Sequence, residues 1–166
     1  MPSTAEPFGP PPFRFTPRPN PLTVWAFSLP FRVLATLLNV GCIAWMGRLW
    51  QGGAFAPPAG SSAVAALGWP LAALSLMLYT WWHIVTSRTT LSAEALHQTW
   101  VWDKHMELRE LAYGKLIRIH GLDWLIAPRF YVRTLLGKFA VFYAADQRML
   151  DEFTRLRDEL KAFRQS

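Results

Sequence analysis

Between Arg48 and Arg88 the chain carries no Asp, Glu, Lys or Arg, and over its 166 residues it has a single cysteine, Cys42. A lone thiol excludes an intrachain disulfide and a metal cluster held by cysteines alone. The sequence also lacks a Gly-x-Ser-x-Gly elbow, a glycine-rich phosphate loop and a His-Glu-x-x-His pair. The commonest signatures of acyl transfer, phosphoryl transfer and zinc proteolysis are therefore missing. Charged residues make up 17% of the chain, against about a quarter in an ordinary soluble domain. That deficit is local, because residues 88–166 hold 13 basic and 10 acidic side chains.

The charge-free stretch and the segment just before it are apolar. Residues 33–50 (VLATLLNVGCIAWMGRLW) and 64–85 (VAALGWPLAALSLMLYTWWHIV) are two candidate membrane spans. As helices they reach about 27 and 33 Å, enough for a hydrocarbon core of about 30 Å. Arg48 lies near enough to one end to snorkel, and Pro70 falls near the start of the second span, where a kink is tolerated. Arg14, Arg18 and Arg32 precede the pair, the connection QGGAFAPPAGSSA has no charge, and the polar remainder is net basic. The positive-inside rule then expects a multi-pass protein of the bacterial inner membrane, with both termini in the cytoplasm. Trp25, Phe31, Tyr79, Trp81 and Trp82 are expected at the inner interface, and Trp45, Trp50 and Trp69 toward the outer one.

Three regions follow from this: an arm over 1–31, a two-helix transmembrane hairpin over 32–86 and a cytoplasmic domain over 87–166. Residues 1–22 hold eight of the thirteen prolines and have no apolar core of signal-peptide kind, so a flexible or polyproline-like arm is expected, with no leader to remove. Beyond the spans the period shortens to two. TTLS, LHQTWVW, HMELREL, KLIRIHG, RFYVRTL and KFAVFYA are short β-rich runs separated by turn signals that include Asp103-Lys104 and Tyr113-Gly114. From Asp146 the spacing changes to that of a helix. Met149, Leu150, Phe153, Leu156, Leu160 and Phe163 form one apolar stripe, with Asp146 as its N-cap. The fold class expected is α+β, with about six strands capped by a C-terminal amphipathic helix.

Two apolar spans followed by SRTTLSAEAL, AYGKLIRIHGL, KFAVFYA and a final helix resemble the bacterial pleckstrin-homology-like membrane proteins. The resemblance covers roughly residues 33–163 and implies a membrane-tethered sandwich or partly open barrel plugged by a helix. It supplies no ligand by itself. Lipid-binding domains of the eukaryotic kind place Lys and Arg in the loop between their first two strands, whereas the matching loop here, SAEALHQ, holds Glu94 and no fixed positive charge. No inositol-phosphate pocket is expected.

The residues worth following fall into three groups. Lys115, Arg118, Arg129, Arg133 and Lys138, against Asp123, are candidate contacts to anionic lipid. Ala65, Gly68, Ala72 and Ser75 share one face of the second span and permit close helix approach, and Asn39 lies at the depth of Thr80, where a hydrogen bond between them is expected. His83 is the one histidine of the spans. An intramembrane histidine is a functional candidate, but the first span offers no second axial ligand, and a place beside Trp81 and Trp82 suits an interfacial imidazole. Asp103, His105 and Glu107 alternate on one strand run, as residues of exposed strand faces commonly do. The expectation is a non-catalytic, cofactor-free scaffold or accessory subunit for another membrane protein, able to self-associate and binding no nucleic acid. The alternatives are an anionic-lipid surface sensor and a haem- or pigment-carrying membrane subunit using His83.

Overall fold

The computed structural model describes residues 12–56, 62–119 and 121–165. The chain is α+β, with three helices and two antiparallel sheets. The first sheet has the order β1 (Leu22–Trp25), β2 (Arg88–Leu91), β3 (Ala95–Gln98), β4 (Lys104–Glu107), and the second β5 (Leu111–Ile117), β6 (Arg129–Thr134), β7 (Phe139–Tyr143). Helices α1 (Leu29–Gln51) and α2 (Ala63–Thr86) lie between β1 and β2, and α3 (Gln147–Gln165) closes the chain.

β1 is the main departure from the sequence reading. Residues 12–31 do not form an arm outside the domain: Leu22 faces Leu91 and Trp25 faces Arg88 in an antiparallel ladder. Phe13, Phe15, Leu22 and Val24 are buried in the same core as Phe130, Phe142 and Phe153. The cause is the period-two alternation of apolar residues hidden among the prolines, which directs one side of the segment inward. Residues 1–11 lie outside the described residues. Ala26 N–H donates to Ser87 O at 3.1 Å, so the helix pair is inserted into the turn of a β-hairpin. Among the described residues there are seven strands, the six expected beyond residue 87 and β1 in addition.

The stripe on α3 closes the core as its spacing requires. Met149, Leu150, Phe153, Leu156 and Leu160 are buried, with Phe163 packed at the rim. Phe153 stacks on Phe130 with ring centroids 4.4 Å apart. Asp146 caps the helix by accepting from Arg148 N–H at 2.8 Å. The outer side of α3 grips the arm: Glu152 accepts from Arg18 N–H at 3.3 Å and pairs with Arg155 at 2.9 Å, while the Arg155 guanidinium lies over the Phe15 ring at 4.6 Å.

Two local expectations change as well. HMELREL is not one strand, because the 3-10 turn Leu108–Glu110 separates β4 from β5. Tyr113-Gly114 is not a turn but the middle of β5. A Cβ on Gly114 would stand 3.0 Å from Phe130 Cζ, so glycine is there to admit an aromatic ring, a use that sequence punctuation does not reveal.

The sheets meet without a continuous ladder. Gln98 Oε1 accepts from Tyr143 N–H at 3.3 Å, Thr89 Oγ1 donates to Tyr143 O, and Lys104 Nζ donates to Val141 O at 2.8 Å. Side chains of the first sheet thus satisfy the free edge of β7. α1 and α2 run antiparallel, joined by Trp81 Nε1–H donating to Thr36 Oγ1 at 2.9 Å. Ser28 starts α1, accepting from Phe31 N–H at 3.3 Å, with Pro30 in the first turn. No side chain of α1 is buried. Among the described residues α1 is the one helix found long and apolar enough to cross a membrane.

Candidate functional site

The strand order gives the domain two ends. Trp25, Arg88, Gln98, Lys104, Ile117, Arg129 and Tyr143 end or begin their strands beside the helix pair, whereas the hairpin between β6 and β7 lies at the far end. Three segments crowd the near end. Ser28 Oγ donates to Leu125 O at 3.0 Å, tying the β5–β6 loop to the start of α1. Phe27 stacks between Phe31 and Tyr143 at 5.5 and 5.6 Å. Ser87 Oγ donates to Thr99 O. The loops around this base expose Trp102, Ile119, Leu122 and Trp124, while the Arg32 and Arg88 guanidinium groups both lie over the Trp25 ring, at 4.3 and 4.2 Å.

The five candidate lipid contacts are all exposed but do not form one patch. Arg118 pairs with Asp123 at 3.5 Å and donates to Gln147 Oε1 at 3.4 Å, so its charge is committed locally. Arg129 sits at the helix-proximal end of β6. Lys115, opposite Tyr131, is further along the sheet, and Arg133 stands four residues, about 13 Å, from Arg129. Lys138 belongs to the distal hairpin. That hairpin is apolar at its tip, with Leu135, Leu136 and Phe139 exposed, Leu136 to 82%.

The candidate contacts on the helices are redistributed. Asn39 and Thr80 do not bond to one another: Asn39 Nδ2 donates to Ala35 O at 2.9 Å and Thr80 Oγ1 to Leu76 O at 2.8 Å. A carbonyl one turn back on the same helix is nearer than any partner across the groove. They nevertheless line the same groove between α1 and α2, and Asn39 Oδ1 is buried there without a partner. Gly68, Ala72 and Ser75 are exposed, and the groove between α1 and α2 is lined on the α2 side by Leu76, Met77, Thr80, Trp81 and Ile84. The side chain of Ala65 lies outside the described residues.

His83 stands edge-on to Tyr79 at 4.6 Å and to Trp100 at 6.1 Å, an aromatic seat joining α2 to the domain. His97 faces His105 across β3 and β4, and its Nε2 lies 4.0 Å from Asp103. Among the described residues no three His, Cys, Asp or Glu side chains converge on a metal position.

Lys104, part of a turn signal in the sequence, begins β4 at the near end. Its ammonium, half-buried, is held below the usual lysine range by desolvation. It sits 5.1 Å from the centre of the Tyr143 ring, which the Arg129 guanidinium also approaches, at 5.8 Å. These two cations line a cavity of about 450 Å³ between the helix pair and the domain. Comparison with known protein families, curated proteins and solved structures finds no match for this chain.

Proposed function

We propose that the chain is a two-span membrane protein whose helix pair anchors a pleckstrin-homology-like domain at the cytoplasmic face of a bacterial inner membrane. There the domain acts by binding, as a scaffold or accessory subunit of another membrane protein, and not by catalysis. The observation that carries this reading is the surface of the helix pair. Leu37, Leu38, Val40, Trp45 and Trp50 on α1, and Trp69, Leu71, Leu76 and Trp82 on α2, are all more than half exposed. Such a continuous apolar surface is far larger than a soluble monomer leaves in water, and lipid is the solvent that covers it. The two sheets with α3 across them support the kinship of the domain.

A protein partner is favoured by the position of the exposed hairpin. Leu135, Leu136 and Phe139 lie at the end of the sheet away from the helices, out of reach of a bilayer that the helices occupy, so their apolar surface suits another protein. Anionic lipid is the second reading, favoured at the near end, where Trp102 and Trp124 accompany Arg129. Affinity purification of the full chain from native membranes in a mild detergent tests the first reading. A stoichiometric membrane protein is expected, lost on Leu136→Glu while the thermal transition is kept. The absence of such a partner, or its retention by Leu136→Glu, contradicts the proposal.

A further inference from the structure

The cavity beneath the helix pair lies where α1 and α2 meet the domain. Its walls are aromatic and aliphatic, from Phe27, Phe31, Ile84 and Leu125, and its only charged side chains are Lys104 and Arg129. Neither forms an ion pair among the described residues. Lys104 spends one donor on Val141 O, which leaves two N–H groups, and Arg129 has five. Phe31, Thr80 and Ile84 also line a second space, a groove of about 400 Å³ between α1 and α2 that continues through Leu34, Leu38 and Leu76. From Ile84 to Leu76 the groove follows about 12 Å of helix. The two spaces adjoin at these three shared side chains, so the cleft they outline has a cationic end at the domain and an apolar end within the helix pair.

We infer that this cleft binds one anionic amphiphile of the membrane, its phosphate held by Lys104 and Arg129 and a hydrocarbon chain lying in the groove between α1 and α2. Charge complementarity selects the occupant. Two cations that form no ion pair among the described residues leave a positive field that a zwitterionic headgroup neutralises less well than an anionic one, while a headgroup without a chain leaves the apolar groove unfilled. A bound phosphate also offsets the desolvation that depresses Lys104. The Tyr143 ring that both cations approach lies at the end of β7, the strand whose edge closes the two sheets, so occupancy would brace the domain against the helix pair. This inference rests on α1 and α2 being membrane helices, and it fixes which lipid chemistry the near end of the domain selects.

Native mass spectrometry of the full, delipidated chain in a non-ionic detergent tests it, using palmitoyl-oleoyl phosphatidylglycerol, the phosphatidylcholine of the same chains, and glycerol 3-phosphate. One phosphatidylglycerol adduct is expected, with phosphatidylcholine weaker by about thirtyfold, equivalent to about 2 kcal/mol for two basic contacts. Glycerol 3-phosphate is expected not to compete. Lys104→Gln with Arg129→Gln should reduce phosphatidylglycerol to the phosphatidylcholine level. Ala35→Trp, which fills the groove and leaves both cations, should abolish the adduct even if the first variant fails to fold. Lys115→Gln with Arg133→Gln, the same charge change on the outer sheet, should have no effect. Equal binding of the two lipids, competition by glycerol 3-phosphate, or an unchanged adduct in Ala35→Trp overturns the inference. Because the assay is run in detergent, its failure is distinct from a failure of membrane anchoring, which alkaline extraction of membranes reads separately.

Discussion

Excising the helix pair should leave a folded, water-soluble domain, whereas a chain beginning at residue 87 should not fold. Trp25 pairs with Arg88 and Ala26 N–H reaches Ser87 O at 3.1 Å, so an Asn-Gly link from Ala26 to Ser87 closes a two-residue hairpin of favoured twist. The joined chain, residues 12–26 and 87–165, keeps both sheets. A fragment of residues 87–165 loses β1 and the arm. Phe13, Phe15, Leu22 and Val24 are each no more than 6% exposed, and burial of such side chains contributes about 1.5–3 kcal/mol apiece. Their loss removes up to about 6–12 kcal/mol, with area-based figures being upper estimates. A domain of this size has only about 5–15 kcal/mol in all. The fragment also exposes the β2 edge and the hydrophobic floor beneath it, which favours aggregation. Denaturant titration, followed by circular dichroism and size-exclusion chromatography, should give a cooperative transition for the joined chain and none for the fragment. A fragment unfolding at the same midpoint as the joined chain would refute the assignment of β1 and the arm to the core.

Substitutions at three positions probe the rest of the domain, each read as thermal or denaturant unfolding of the joined chain. Leu156→Asp places a carboxylate at a fully buried position and should undock α3, abolishing the cooperative transition; an unchanged transition would mean that the stripe is not packed. Gly114→Ala should destabilise by about 1–3 kcal/mol, since the new methyl meets the Phe130 ring at 3.0 Å. Stabilisation, the usual result of such a change in an open strand, would contradict that contact. Asp146→Ala should cost about 1 kcal/mol as a lost cap. The Arg148 hydrogen bond holds the Asp146 carboxyl below its usual range, so its contribution is present above about pH 4 and disappears as pH falls through the depressed folded value. Asp146→Asn keeps the cap and should flatten that part of the acid limb, and an acid limb identical to that of the parent chain would count against the pairing.

The helices were legible because each has a single dominant signal: a long apolar run in α1 and α2, and a 3.6-residue stripe in α3 with its capping aspartate. β1 was not, because proline density obscured the alternation of Phe13 with Phe15 and of Leu22 with Val24. Its partner, β2, is also more than sixty residues away along the chain. Gly114 misled for the opposite reason, since a residue that usually signals a turn was serving a close ring approach. The near-end cavity was illegible in principle, as Phe27, Thr80, Lys104, Leu125, Arg129 and Tyr143 are brought together only by the insertion of the helices into a hairpin. Of the basic residues singled out from the sequence, Arg129 alone lies in that cavity. Arg133 and Lys138 share its charge but stand at the wrong end of the sheet.

In the proposed arrangement the inserted helix pair spans a membrane and holds the domain on its cytoplasmic side. In a Cys42→Ser background, single cysteines at Gly53, beyond the end of α1, and at Leu136, on the distal hairpin, test it with a membrane-impermeant thiol reagent. Gly53→Cys should be labelled in intact cells, and Leu136→Cys only after the membrane is opened, with both proteins remaining in the membrane after alkaline washing. Labelling of Leu136→Cys in intact cells with Gly53→Cys protected would reverse the orientation, and release of the chain by the alkaline wash would contradict the anchor itself.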